Sequence, residues 1–162
     1  MFLRKTWAIQ ATRIFWEAAI SASDQDQAAI ERLSLLYARG ADRNLPALWE
    51  EIFTEDAVLE GQQFRVEGRA AISASPAMLA RDFLATQHRL SNPFISIAGD
   101  TATGEIYCVA EHLFEQDGAR KIMVWMIRYE DAYRKEGGQW RIAHRRLHID
   151  WTETRNADPI GG

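Results

Sequence analysis

The fold class predicted for this chain is α+β: helices first, then a curved, mostly antiparallel sheet that wraps around them as a cone. Three observations predict it. Apolar residues recur at helical spacing through the first half, and the spacing becomes that of extended chain from Thr86 onward. Turn signals at Gly99-Asp100, Asp117-Gly118 and Gly137-Gly138 then divide the extended part into four segments.

Taken in order, residues 1–22 open with Met1-Phe2-Leu3-Arg4-Lys5, which has the look of an export signal. Arg13 and Glu17 interrupt the apolar run and leave it too short and too charged for a signal or a membrane span. Trp7, Ala11, Ile14 and Ala18 recur at helical spacing, so an amphipathic helical extension is expected there. Ser23-Asp24 followed by Gln27 resembles a capping box and starts a second helix. Ile30, Leu33, Leu36 and Tyr37 give that helix a buried face, and Asp42 stands near its end. Asn44 and Pro46 break it, and Pro46 opens a short helix carrying Leu48, Trp49, Ile52 and Phe53. Residues 57–61 and 64–68 read as a small hairpin. A further helix is expected over about 69–84, with Pro76 forcing a kink or restart.

Within the sheet half, Ile122-Met123-Val124-Trp125-Met126-Ile127 is apolar without alternation and predicts a central strand covered on both faces. The last segment alternates. Arg141, Ala143, Arg145, Leu147, Ile149 and Trp151 fall on one face, and Trp140, Ile142, His144, Arg146, His148 and Asp150 on the other. Residues 153–162 read as a flexible tail, which leaves one domain over residues 23–152.

The totals narrow the function classes. The chain has 162 residues, 47% hydrophobic and 26% charged, with a net charge of −4. That suits one globular domain with a substantial core and excludes disorder. No lysine or arginine run could track a phosphate backbone, so nucleic acid is not an expected partner, and neither is a membrane. The single cysteine, Cys108, cannot form an internal disulfide, which fits a reducing, cytoplasmic setting and a small core residue.

One pair of residues points at chemistry. If the helix that ends near Asp42 packs across the strand that begins near His88, a carboxylate meets an imidazole inside the cone. A carboxylate fixes the tautomer of a neutral imidazole and steadies its charged form, which makes a histidine a competent general base. Each residue has a plainer reading. His88 could be satisfied by backbone groups at a sheet edge, and Asp42 could cap the helix or pair with Arg39 or Arg43. A carboxylate at a helix carboxyl end opposes the macrodipole, however, so another partner is expected for it. His144 and His148 are four apart on a strand, roughly 13 Å along it, too far to share a metal ion. Trp49, Trp125, Met78, Met123 and Met126 are expected mostly in the core, with one or two lining a cavity.

Tyr37-Ala38-Arg39-Gly40-Ala41-Asp42-Arg43 and Leu48-Trp49-Glu50-Glu51-Ile52-Phe53-Thr54-Glu55-Asp56-Ala57 resemble the first helices of SnoaL-like proteins of the nuclear transport factor 2-like superfamily. Thr86-Gln87-His88-Arg89-Leu90-Ser91-Asn92, Arg128-Tyr129-Glu130-Asp131 and Trp140-Arg141-Ile142-Ala143-His144-Arg145-Arg146 continue the resemblance in order, over about residues 24–152. The fold this implies is the cystatin-like roll of that superfamily.

In the superfamily's dehydratase and dehydrochlorinase branch an aspartate and a histidine form the catalytic dyad, and Asp42 and His88 stand where it would be. Tyr37 takes the place of a lysine that helps shape the dehydrochlorinase site, and Arg145 corresponds best to an arginine on its last strand. The resemblance thus implies a cofactor-independent lyase or isomerase, with no metal, acting on a small apolar cyclic molecule of steroid, terpenoid or aromatic polyketide type. His88 would be the base and Asp42 its partner, with Tyr37 and Arg145 assisting the developing negative charge or the departing group. Leu59, Trp49, Arg128, Leu147 and Glu111 are the expected pocket residues. The plainer reading of Tyr37 is a core aromatic, and that of Arg145 a salt bridge to a buried carboxylate such as Glu111. Two rival functions share the fold: a non-catalytic ligand-binding domain, and the small scaffolding subunit of a ring-hydroxylating dioxygenase. A homo-oligomer, dimer or trimer, is implied as well.

Overall fold

The computed structural model describes residues 22–158, so the expected amphipathic helix over residues 1–22 lies almost wholly outside the described residues. Helix α1 (Ala22–Arg43) is followed by the short α2 (Pro46–Ile52), with Pro46 in its first turn. Strand β1 (Phe53–Glu60) and the three-residue β2 (Arg65–Glu67) form the expected hairpin. In place of one kinked helix come two, α3 (Arg69–Ser73) and α4 (Ser75–Asp82), because Pro76 can stand only in the first turn of a new helix. Four long strands complete the chain: β3 (Ala85–Ala98), β4 (Thr101–Gln116), β5 (Ala119–Glu136) and β6 (Gln139–Asn156).

The strands make one curved, unclosed sheet in the order β2-β1-β6-β5-β4-β3. All neighbours are antiparallel except β1 and β6, which run parallel. Two-residue turns join the long strands at the three predicted places. Asp117-Gly118 and Gly137-Gly138 have positive φ at both central positions, the geometry that matches the twist of the flanking strands. Residues 122–127 do lie in a central strand, β5 between β4 and β6, but the expected cover on both faces is incomplete: outward-facing Met126 is only half-buried and its β6 partner Trp151 is exposed. Val124 is buried there between Glu111 and Glu153 on the neighbouring strands, while Trp125 points into the concave side.

Two expectations for the last segment need correction. Strand β6 continues to Asn156, paired with Lys121, so residues 153–156 are sheet and not tail. The simple alternation also breaks. Tyr133 faces Ile142 but Ala132 faces His144, so Ala143 is an extra residue in the ladder. A bulge of this kind reverses which side chains face inward beyond it. Trp140 and Ile142 are therefore buried on the same side as Arg145 and Leu147.

The core lies between α1 and the concave face. Ile30, Leu33, Tyr37 and Ala41 of the helix meet Trp49, Ile52, Ile72, Cys108, Ala110, Ile127 and Tyr129. Gly40 permits the closest approach, since a Cβ there would collide with the indole of Trp49. With that space open, Trp49 donates its indole N–H to the Tyr37 carbonyl at 2.9 Å and stacks on the Tyr37 ring, centroids 4.3 Å apart.

Candidate active site

Among the described residues β3 is an edge strand, paired on one side with β4 only. Thr86, His88 and Leu90 share its inward face by the period of two, opposite His112, Ala110 and Cys108 of β4. The carboxyl end of α1 packs against this strand and brings Asp42 to its open side. Asp42 Oδ1 lies 2.6 Å from His88 Nδ1 and accepts the Thr86 hydroxyl at 2.9 Å, while Oδ2 accepts the His88 backbone N–H at 2.9 Å. An edge strand has backbone N–H groups that no neighbouring strand takes, and one of them is spent here on the carboxylate. The expected partner for a carboxylate at a helix carboxyl end is thus His88, with Thr86 added. Burial raises the Asp42 carboxyl, but the bonds from His88 and Thr86 outweigh it and hold Asp42 below the usual carboxylate range. With Asp42 ionised, Nδ1 of His88 carries the proton and Nε2 remains the basic nitrogen.

The imidazole borders a cavity of about 360 Å³, at the small end of the range for small-molecule sites, roughly 300–1,000 Å³. Its walls come from every layer: Tyr37 of α1, Trp49 of α2, Leu59 of β1, Met78 and Leu79 of α4, and Trp125, Ile127, Tyr129 and Leu147 of the sheet. Phe64, Val66, Ser75, Asp82 and Phe83 complete the rim. Most of this surface is apolar, so the polar groups that reach it are few and identifiable. The cavity is open rather than filled by core side chains, and the side chains of Asp42 and His88 face each other.

His112 is one of those polar groups, and it has no place among the sequence-based candidates. It is buried at 1% exposure between Phe83 and Trp125, with its ring 6.0 Å from that of His88. Its Nδ1 lies 3.3 Å from the Met123 carbonyl, to which it donates as a neutral imidazole, leaving Nε2 as an acceptor. Burial, reinforced by His88, pushes the His112 pKa down to about 4, so it stays neutral near pH 7. The signal for it lay in the register. Ile106, Cys108, Ala110 and His112 alternate on one face, and the hairpin turn at Gly99-Asp100 sets His112 opposite Thr86.

Of the other expected residues, Tyr37, Trp49, Leu59 and Leu147 line the cavity. Arg128 and Glu111 do not. Arg128 is held by Glu105, Glu130 and Asp150, and Glu111 by Arg89 and Arg155, in a lattice of ion pairs away from the cavity. Both belong to alternate positions that a strand turns away from its concave face. His144 and His148 are apart as expected, near Glu60 at 3.1 Å and Glu130 at 3.0 Å respectively. Trp125 and Met78 are the further tryptophan and methionine that reach the cavity wall.

Arg145 needs a larger correction, because it does not line the cavity. Its side chain is fully buried behind the cavity wall, and two of its nitrogens bind Asp131 at 2.8 and 2.6 Å. One of them also donates to the Ser34 hydroxyl at 2.8 Å. The guanidinium lies between the rings of Tyr37 and Tyr129, 4.3 Å from each centroid. The salt-bridge reading of Arg145 is therefore the one the structure supports, with Asp131 in place of Glu111 as the carboxylate. Burial opposes its charge, but Asp131 more than offsets this and the guanidinium stays protonated. Burial likewise raises the Tyr37 hydroxyl, against the pull of Arg145, and keeps it a proton donor.

Residues 23–146 match the model of the SnoaL-like domain, which takes in both members of the Asp42–His88 pair. The chain belongs to the SnoaL-like domain family. Among solved structures it is similar to a scytalone dehydratase-like protein from Novosphingobium aromaticivorans, at 27% identity and a TM-score of 0.70 over 85% of this chain and 95% of that one. A protein of unknown function from Mycobacterium tuberculosis is also 27% identical, with a TM-score of 0.68 over 88% of this chain and 79% of that one. A hexachlorocyclohexane dehydrochlorinase from Novosphingobium barchaimii shares the fold, with a TM-score of 0.72 at 13% identity over 81% and 90% of the two chains. No curated protein matches the chain. The solved structures this chain is similar to thus include one named for scytalone dehydratase and one of unknown function, with the dehydrochlorinase sharing the fold alone. No helix among the described residues is long and apolar enough to cross a membrane.

Proposed function

We propose that this protein is a cofactor-independent lyase or isomerase of dehydratase type, acting on a small and mostly apolar cyclic molecule of steroid, terpenoid or aromatic polyketide type. The observation that carries the reading is the 2.6 Å contact between His88 Nδ1 and Asp42 Oδ1 beside an apolar cavity. His88 Nε2 takes a proton from a ring carbon next to an activating group. The electron pair left behind forms a double bond as the leaving group departs from the neighbouring carbon. Where that group is a hydroxyl, the imidazolium returns its proton and water leaves, so the histidine ends neutral. Asp42 orients the ring and stabilises its charged form throughout.

His112, kept neutral by burial, accepts a hydrogen bond from a substrate hydroxyl and fixes which carbon faces His88. The Tyr37 hydroxyl donates to developing negative charge or to the leaving oxygen, and Arg145 acts only by holding the Tyr37 ring. A positioned base contributes roughly 10²–10⁴-fold. Enclosure by Trp49, Leu59, Trp125 and Leu147 supplies the orientation that the base alone does not. The working form is a homo-oligomer, dimer or trimer.

The test is turnover against a panel of cyclic alcohols and ketones drawn from the three substrate types, repeated with His88→Ala and Asp42→Asn. A loss of about 10²–10⁴-fold in kcat is expected for each variant. Turnover that survives both substitutions unchanged overturns the mechanism. Binding without turnover by the unaltered protein leaves the ligand-binding rival in its place.

A further inference from the structure

We propose that Thr86 is a positioning residue for the Asp42–His88 pair, its hydroxyl holding the carboxylate in line with the imidazole and limiting the carboxylate's basicity. The inference rests on the acid–base reading of that pair. Thr86 and His88 are two residues apart on the inward face of β3, so both side chains reach the same carboxylate at the end of α1. Oδ1 of Asp42 is shared between two donors, the Thr86 hydroxyl at 2.9 Å and His88 Nδ1 at 2.6 Å. The His88 backbone N–H takes Oδ2 at 2.9 Å. Both backbone and ring contacts come from His88, so they follow any movement of that residue. Thr86 is the one donor of the three that ties Asp42 to a separate point on the strand.

Sharing Oδ1 has a chemical consequence. A carboxylate oxygen that already accepts one hydrogen bond is less basic toward the next donor, so the proton stays on His88 Nδ1 instead of moving to Asp42. In the neutral ring this is the tautomer whose Nε2 is free to accept a proton, the one that base catalysis needs. Thr86 itself stands opposite His112 in the β3–β4 register, which places the dyad's anchor beside the second imidazole. The ionisable groups around Asp42 are His88 on β3, Cys108 and His112 on β4, and Arg43 and Glu111 beside the surface hollow it shares. A change at Thr86 leaves every one of them in place.

The experiment compares Thr86→Val, which keeps the β-branched shape and removes the hydroxyl, with Thr86→Ser, which keeps the hydroxyl. Both are followed by ¹³C NMR of labelled aspartate carboxyls, and by the low-field proton signal of His88 Nδ1–H at neutral pH where acid unfolds the chain. Thr86→Val is expected to raise the Asp42 titration midpoint and to move the Nδ1 proton downfield, with Thr86→Ser matching the unaltered protein. On any substrate the protein turns over, Thr86→Val lowers kcat about tenfold and leaves KM unchanged. An Asp42 midpoint and an Nδ1 proton signal that stay put in a folded Thr86→Val protein overturn the proposal. If both move while no substrate is turned over, the positioning role stands and the catalytic reading alone falls.

Discussion

Replacing Arg145 by methionine decides between a strut and an anion-binding group. In the protein the guanidinium and the Asp131 carboxylate are both wholly buried and doubly bonded, with Ser34 as a third contact. Methionine fills the stem and leaves Asp131 with the Tyr133 hydroxyl, 2.6 Å away, as its remaining side-chain partner among the contacts described. Removing one member of a buried pair costs about 3–5 kcal/mol, because the other charge stays in low dielectric without compensation. For a chain of this length each kcal/mol moves Tm by roughly 2–4 °C, so a fall of about 6–20 °C is expected by calorimetry or circular dichroism. A double variant, Arg145→Met with Asp131→Leu, removes both charges and is expected to recover most of that loss, short of the roughly 1–3 kcal/mol for the acceptor Tyr133 gives up. Arg145→Met that melts within about 2 °C of the unaltered protein while losing activity would refute the reasoning and restore the anion-binding role.

Other expectations follow from neighbouring features. Gly40→Ala drives a Cβ into the Trp49 indole and should cost about 1–3 kcal/mol in urea unfolding, with cavity ligands bound more weakly because Trp49 is displaced. His112→Phe keeps an aromatic ring between Phe83 and Trp125, so Tm should change little, whereas calorimetric affinity for hydroxylated ligands should drop relative to their deoxy analogues. Glu60 is held ionised down to about pH 2, chiefly by Arg146 and against burial, with Arg65 and His144 adding to the pull. Its folded-state pKa lies below the unfolded value, about 4.3, so its contribution is complete above that pH and is lost as pH falls toward 2. Glu60→Gln should therefore flatten the acid side of the stability profile measured by chemical unfolding between pH 4.5 and 2.

The parts of the site that were legible in the sequence are those set by local rules. Asp42 was visible because a carboxylate near a helix carboxyl end needs a partner, and His88 because it opens the first long extended segment. Their meeting requires only that the helix cross the strand, which one contact satisfies. Arg145 was misread for a different reason. Its inward direction followed from alternation, but its neighbours depend on β5, where Asp131 sits directly opposite it in the ladder. The bulge at Ala143 then decides that Trp140 and Ile142 share its side, and nothing in the local sequence marks that extra residue. Arg128 and Glu111 were misplaced by the same dependence on strand phase.

His112 shows where the boundary between local and cross-strand information falls. Alone, a histidine on an apolar strand face gives no reason to expect chemistry. Once the turn at Gly99-Asp100 fixes the register, the same residue stands opposite Thr86, two positions from His88, and its role changes. Burial then removes its charged form and leaves a neutral imidazole in the cavity wall. Two imidazoles about 6 Å apart in one cavity are thus given different work by their surroundings, one beside a carboxylate and the other between aromatic rings. On the proposed reading, a base at His88 and a neutral acceptor at His112 together orient a substrate. Two equivalent histidines would repel each other when both are charged, and neither would define a direction.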